Sequence, residues 1–302
     1  MTKPSLRTQA QRWRACSDRH LGWPPGHGHR PVSANCPLCV AAMNVRAGLV
    51  AIIDRMPSRV ARHLHGQAPF VRLLRPVVNR MMPTGIVEVR VRSGLAEGLL
   101  ISIEPRQEKY YWTGTYEPNV QNAMAAVLRH GDVMWDVGAH AGFHTALASR
   151  LVGPDGEVVA FEPLPPNVAR LERLVSANRL NNVRIRPLAV SGGTGRAIFH
   201  VAPSTSMGSL APIAAVTVDI EVYTTTLDME LANLRPPALV KIDVEGAEAT
   251  VFAGATRLLS EVMPRLVIEF LSSDAIHRAR EVLPSYEFTR LDATNYLGEP
   301  TR

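Results

Sequence analysis

The pattern of apolar and polar positions changes character twice along the 302 residues. Residues 1–42 hold no sustained period. Their stretch "RHLGWPPGHGHRPVSANCPLC" is dense in Pro, Gly, His and Arg, and reads as an extension without regular structure. From Asn44 to Met82, "NVRAGLVAIIDRMPSRVARHL" and "FVRLLRPVVNRMM" repeat apolar residues every three to four positions, the period of amphipathic helices. Pro57 and Pro76 interrupt them, which favours packing against a neighbouring domain over one long membrane-surface face. "IVEVRV" and "LLISIE" then alternate around the glycine-containing "RSGLAEG", which predicts a hairpin.

From Gly131 the grammar becomes strand, turn, helix. "VMWDV" precedes a helix from about Gly142, and "EVVAFEP" precedes "NVARLERLVSANRL". "VRIRPLAV" leads into "RAIFHVA", "ALVKIDVEG" precedes "AEATVFAGATRLLSE", and "RLVIEFL" precedes "SDAIHRAREVL". Near-continuous apolar strands need cover on both faces, so the expected fold is α/β: a mostly parallel central sheet with helices on both sides. The chain therefore divides into residues 1–42, a helical and hairpin region at 43–130, and the sheet domain at 131–302. Ligands of such sheets bind beyond the carboxyl ends of the strands, near the switch point.

Composition narrows the function classes. A hydrophobic share of 46% with mean hydropathy +0.00 fits a globular protein with a sizeable core. The net charge of +6 conceals an asymmetry: residues 1–130 carry 18 Lys+Arg against 7 Asp+Glu, a net of +11, and residues 131–302 carry 15 against 20, a net of −5. The basic half lacks interleaved aromatics, so no nucleic-acid partner is expected. No stretch approaches the ~20 apolar residues of a membrane span, and the first forty lack a secretory apolar core, so the expectation is a cytoplasmic protein without stable membrane insertion. Cys16, Cys36 and Cys39 all lie in those forty residues. "CPLC" has metal-knuckle spacing that Cys16, His20, His27 and His29 could complete, but the second knuckle is missing, and no metal is assigned. The oligomeric state is not legible.

The chemistry concentrates in "VMWDVGAHAGFHT". Asp136 ends the first strand, and Gly138 and Gly142 bracket the turn, where glycine permits tight turning and close ligand approach. Glu162 ends the second strand, placed to accept hydrogen bonds from ribose hydroxyls, and Pro163 stops that strand. A dinucleotide site would want G-x-G-x-x-G; this turn lacks the middle glycine and has instead the D-x-G-x-x-x-G spacing of S-adenosylmethionine sites. In "LVKIDVEGAE", alternation puts Lys241, Asp243 and Glu245 on one face of a strand that should be apolar on both. Such groups are costly to bury unpaired, so the strand end is expected to open into a polar pocket, with an internal ion network as the alternative.

These elements resemble the FkbM-type S-adenosylmethionine-dependent methyltransferases, of the Rossmann-like class I group. The likeness rests on "WDVGAHAGFHT", "VVAFEP", "LAVSGGTG", "TTLDMEL", "VKIDVEGAEATVFAGA" and "LVIEF", from about Gly131 to Leu271, with "YYWTGTYEPNVQ" as a lead-in. His140 stands where the family more often has asparagine, and its charge is expected to follow pH. The resemblance implies that S-adenosylmethionine is the cofactor and that its methionine part lies along Gly138, Ala139, His140 and Gly142. It further implies that Asp136 faces the cofactor amino group, Glu162 holds the ribose, and adenine lies beside Leu188, Ala189 and Val190. Asp243 and Glu245 are the candidate catalytic residues, with the choice of base open; His140 and His144 stand behind them, His144 as a packing residue. Asp228 is expected to cap its own helix. Glu269, at the end of the fifth strand, is a lesser candidate for substrate contact. The implied activity is O-methylation of a hydroxyl on a small-molecule, sugar or glycan acceptor. The rival classes are an NAD(P)-dependent oxidoreductase and a cofactor-binding module without catalysis.

Overall fold

The computed structural model describes residues 85–202, 208–211 and 218–301. The expectations for residues 1–42, for Cys16, Cys36 and Cys39, and for the amphipathic segments between Asn44 and Met82 fall outside these residues. Strands β1 (Val87–Arg90) and β2 (Leu100–Ile103) pair antiparallel with Val87 opposite Ile103, the hairpin that the alternation predicts. Helices α1 (Lys109–Thr113) and α2 (Pro118–Val127) follow.

The central sheet is laid down by β3 (Val133–Val137), α3 (Phe143–Val152), β4 (Glu157–Phe161), α4 (Pro165–Asn178) and β5 (Val183–Arg186). The chain then builds β6 (Ala189–Val190), β7 (Gly195–Val201), β8 (Gly208–Ser209) and β9 (Val218–Thr225), and continues into α5 (Leu227–Leu231). It returns as β10 (Leu239–Ile242), α6 (Glu248–Ala253), a five-residue π turn at Leu258–Val262, and β11 (Arg265–Glu269). It ends with α7 (Ser273–Val282), β12 (Tyr286–Arg290) and β13 (Asn295–Pro300).

The strand order is β12-β13-β11-β10-β3-β4-β5. Strands β11, β10, β3, β4 and β5 pair parallel, while β13 is antiparallel to both β11 and β12. The fold is thus α/β with a mostly parallel sheet. The chain leaves β3 toward β4 on one side and later enters β10 on the other. That reversal opens a crevice above the carboxyl ends of β3 and β10.

Every residue of β3 is buried, as a central parallel strand requires. Trp135, Val240, Ile242 and Ile268 pack on one face, and Met134, Leu147, Leu239 and Val267 on the other. Each such side chain contributes about 1.5–3 kcal/mol through removal from water. The hairpin builds a further cluster against α3 and α4: Val89, Ile101, Ile103 and Trp112 pack with Phe143, Ala146 and Leu174. Arg170 of α4 ties the same regions together, donating to the Ser102 carbonyl and, bidentately, to Glu108 at 3.1 and 2.5 Å. No helix among the described residues is long and apolar enough to cross a membrane.

Three expectations need correction. "RAIFHVA" belongs to a second, four-stranded sheet of order β6-β9-β7-β8, which the strand–helix alternation gave no reason to expect. The alternation in "LVKIDVEG" stops at Ile242: β10 ends there, and Glu245 sits in the left-handed region at φ 52°. Only Lys241 of the three ionisable groups lies in the strand. Asp228 does not cap its own helix; Thr226 does, accepting from Met229 N–H at 3.1 Å. The Asp228 carboxylate instead accepts from Arg257 and Leu258 N–H at 3.0 and 2.9 Å, capping the following π turn.

Candidate active site

The turn after β3 is fixed by close packing. A Cβ on Gly138 (φ 83°) would lie 1.8 Å from the Asp243 carbonyl oxygen, and one on Gly142 2.6 Å from Leu171. Only glycine lets this turn sit against the exit of β10 and against α4. The demand here comes from the protein's own backbone and core, ahead of any ligand.

His140 lies at φ 51°, a conformation in which Asn and His are enriched. Its N–H donates to Glu162 Oε2 at 2.9 Å, and its Nδ1 lies 3.1 Å from the Tyr111 hydroxyl. Burial, seconded by the Arg170 guanidinium, lowers its pKa to about 4. The imidazole is therefore neutral through the physiological range, a correction to the expectation that its charge follows pH. Glu162 also accepts from Leu164 N–H at 2.9 Å and from the Asn167 amide at 3.3 Å. Burial pushes its pKa up to about 7 against these donors.

One cavity lies at the switch point. Its wall takes in Gly138, His140, Glu162, Leu188, Ala189, Val190, Asp243 and Glu245 among the expected residues. Asp136, Ala139 and Gly142, also expected against the cofactor, do not line it. Asp136 is fully buried; its Oδ2 accepts from the Thr145 hydroxyl at 2.6 Å, and its Oδ1 has no hydrogen-bond partner. The wall also contains Tyr111, Phe161, Phe199 and Leu210, which sequence reasoning missed.

A second, more open cleft shares Tyr110, Tyr116, Asp243 and Glu245 with the first and adds Glu117 and Glu269. Buried Lys241 donates to Asp243 Oδ2 at 2.8 Å. Burial disfavours charge on Lys241, but Asp243, Asp136 and Glu117 outweigh that and raise its pKa. Burial likewise opposes the charge on Asp243, yet Lys241 prevails and holds its pKa below the usual value. Its neighbours move the other way. Burial, then Asp243, raises Glu245 to about 7 and Glu269 to about 8. Burial raises Glu117 to about 7. Glu269 accepts from the Thr294 hydroxyl at 2.9 Å. His144 is buried in the first turn of α3, its Nε2 3.5 Å from Glu117 Oε2, and burial holds it neutral. It packs against Tyr116 and Phe143 and faces a carboxylate on the cleft wall.

Residues 136–289, about half of the chain, match the methyltransferase FkbM domain. The chain belongs to that family. It is 29% identical over 148 residues to the hexuronic acid methyltransferase AglP of Haloferax volcanii, covering 48% of this chain and 59% of that protein. It is 28% identical over 225 residues to the 2-O-methyltransferase NoeI of Sinorhizobium fredii, covering 64% of this chain and 89% of that one. The crystal structure of methyltransferase FkbM from Methylobacillus flagellatus aligns over 76% of this chain and 59% of its own, at 16% identity and TM-score 0.41. The FkbM match begins at Asp136, so Glu108, Tyr111, Tyr116 and Glu117 stand outside it. These residues reach the site from the lead-in helices, a contact no local period reports; their only sequence signal is "YYWTGTYEP" itself.

Proposed function

We propose that the protein is an S-adenosylmethionine-dependent O-methyltransferase acting on a hydroxyl of a sugar or sugar-like small molecule. The observation that carries this is the family match falling on the residues that wall the switch-point cavity. The wall chemistry fits such a cofactor: apolar Phe161, Leu188, Val190 and Phe199 suit a flat base, and the Glu162 carboxylate, with three hydrogen bonds accepted, keeps about one lone-pair site, on Oε2, for a ribose hydroxyl. AglP and NoeI lend the acceptor class. When bound, S-adenosylmethionine supplies an electrophilic methyl group.

The chain's own part is alignment and proton removal. Alignment of reactants at near-attack distance is worth on the order of 7–11 kcal/mol. A base works best with a pKa near the working pH. Asp243, held ionised by Lys241, is a weak proton acceptor and suits orientation of the acceptor. Glu245, at about 7 and on the wall shared by both hollows, is matched to taking the proton.

Isothermal titration tests the cofactor. S-adenosylhomocysteine is expected to bind and NADH not to; NADH binding without S-adenosylhomocysteine heat would favour the oxidoreductase reading instead.

A further inference from the structure

The open cleft beside Asp243 has a composition that restricts its occupant. It joins the four carboxylates Glu117, Asp243, Glu245 and Glu269 with two tyrosines, Tyr110 and Tyr116, whose rings stack at 5.2 Å and 24°. The acids reach it from separate places: the left-handed cap of α2, the residue just past β10, the turn that follows, and the end of β11. One carboxylate oxygen each of Asp243, Glu245 and Glu269 lies within 4.8 Å of the others. Among the described residues, no Lys or Arg lines the cleft. The nearest cation in the ion-pair network, Lys241, is already paired with Asp243.

One buried carboxylate oxygen of this wall is unfinished, and so is a buried ring nitrogen next to it that does not itself line the cleft. Glu117 Oε2 has no hydrogen-bond partner, nor has Nε2 of His144, whose side chain is 5% exposed and which faces that carboxylate from 3.5 Å. Their only relation is an approach too long for a hydrogen bond. The unsatisfied oxygen of the cleft-lining Glu117 carboxylate is a place for a donor from outside the protein.

We infer that the cleft takes an acceptor carrying a protonated amine beside the hydroxyl to be methylated, an amino-sugar type of molecule, and rejects acceptors bearing a carboxylate. The inference rests on the methyl-transfer reading and refines it. An ammonium supplies the donor that Glu117 Oε2 lacks, and aromatic faces such as those of Tyr110 and Tyr116 attract cations. The raised pKa values of Glu117, Glu245 and Glu269, due first to burial and for the last two also to Asp243, agree, since a bound cation would favour their ionised forms. A uronic acid, the substrate type in the name of AglP, would set a fifth carboxylate among four. The rival occupant is a divalent cation on Asp243, Glu245 and Glu269; the tyrosine wall and the placement of Glu117 across the cleft favour the organic cation.

The test uses the full chain saturated with S-adenosylhomocysteine, whose own binding is measured first. Methyl glucosaminide, methyl glucoside and methyl glucuronide are then titrated at neutral pH. The glucosaminide is expected to bind about tenfold or more tighter than the glucoside, in line with a charge-assisted hydrogen bond, and the glucuronide weaker than both. Glu117→Gln and Glu269→Gln should each shrink the preference for the amine while leaving glucoside binding in place. A glucuronide that binds as well as the glucosaminide, or an amine that gains nothing over the glucoside, including no binding of either, overturns the inference. So does Mg²⁺ binding that excludes the glucosaminide. Failure of S-adenosylhomocysteine to bind would strike the cofactor reading, a separate outcome read before any sugar is added.

Discussion

At Glu162, the carboxylate oxygens accept hydrogen bonds from His140, Leu164 and Asn167 before any ligand arrives. At Glu117, some way along the same crevice, one oxygen is buried with no hydrogen-bond partner, and Glu245 and Glu269 stand among like charges. The first wall is preorganised: its carboxylate is fixed by backbone amides, and a ligand only adds to a satisfied frame. The second is electrostatically incomplete in the protein alone, so its ligand must complete it. The two hollows meet at Asp243 and Glu245, which belong to both. That junction is where a methyl donor in one and an acceptor in the other would face each other.

The largest expected effect falls on the junction. Glu245→Gln should lower kcat by ~10²–10⁴-fold with S-adenosylhomocysteine affinity nearly unchanged. In the wild type kcat/KM should rise with pH through about 7 as Glu245 of the free protein ionises, and the variant's residual rate should lack that rise. Asp243→Asn should mainly raise the acceptor KM. If Asp243→Asn shows the catalytic loss and Glu245→Gln does not, the assignment of the two acids is reversed.

Next in size is the cation beneath both walls. Lys241→Met removes the partner of Asp243 and leaves buried acids without it, which typically costs about 3–5 kcal/mol. For a domain of this size the midpoint of thermal unfolding should fall on the order of 10 °C. A melt within about two or three degrees of wild type, roughly 1 kcal/mol, would show that the acids tolerate its loss.

A smaller effect separates the walls by pH. Glu117, Glu162, Glu245 and Glu269 have folded pKa values raised to about 7 or 8, so above their unfolded values the native state binds more protons than the unfolded chain. Stability therefore falls as pH rises through that window. His140 and His144, with lowered pKa values, act in the opposite direction, but only below the unfolded histidine value near 6.5. Between pH 6.5 and about 8 the acids act without that opposition, and thermal melts of the ligand-free protein should drop. Methyl glucosaminide should flatten the drop if the cleft holds it. A melting temperature that climbs across this interval would contradict the burial of these carboxylates.

Much of the first wall was legible in the sequence, and little of the second. Strands β3, β4, β10 and β11 announce themselves because a parallel strand covered on both faces must be apolar throughout, and the acids near their carboxyl ends, Asp136, Glu162 and Glu269, break that pattern close to the crevice. Alternation misled at Glu245 because the backbone leaves the strand after Ile242 and turns left-handed; a period of two holds only while the chain stays extended. His140 looked like a pH sensor because nothing local reveals Arg170, thirty residues on, or the burial that keeps it neutral. Glu117, Tyr111 and Tyr116 come from helices that precede the sheet, and a contact across that separation leaves no trace in local periodicity. The second sheet was missed for a related reason: β7 and β9 pair with each other across the residues between them, and their half-exposed faces lack the continuous apolar run of a core strand.

The central claim, that one hollow holds the cofactor and the other does not, is tested most directly by titrating S-adenosylhomocysteine into two variants side by side. Glu162→Ala should weaken binding by on the order of 1.5–3 kcal/mol, roughly tenfold or more, because a charge-assisted hydrogen bond to that carboxylate is lost. Glu117→Ala should leave the affinity within about twofold, since that residue lines only the open cleft. Loss of S-adenosylhomocysteine binding in the Glu117 variant with retention in the Glu162 variant would put the cofactor in the wrong hollow and contradict the account.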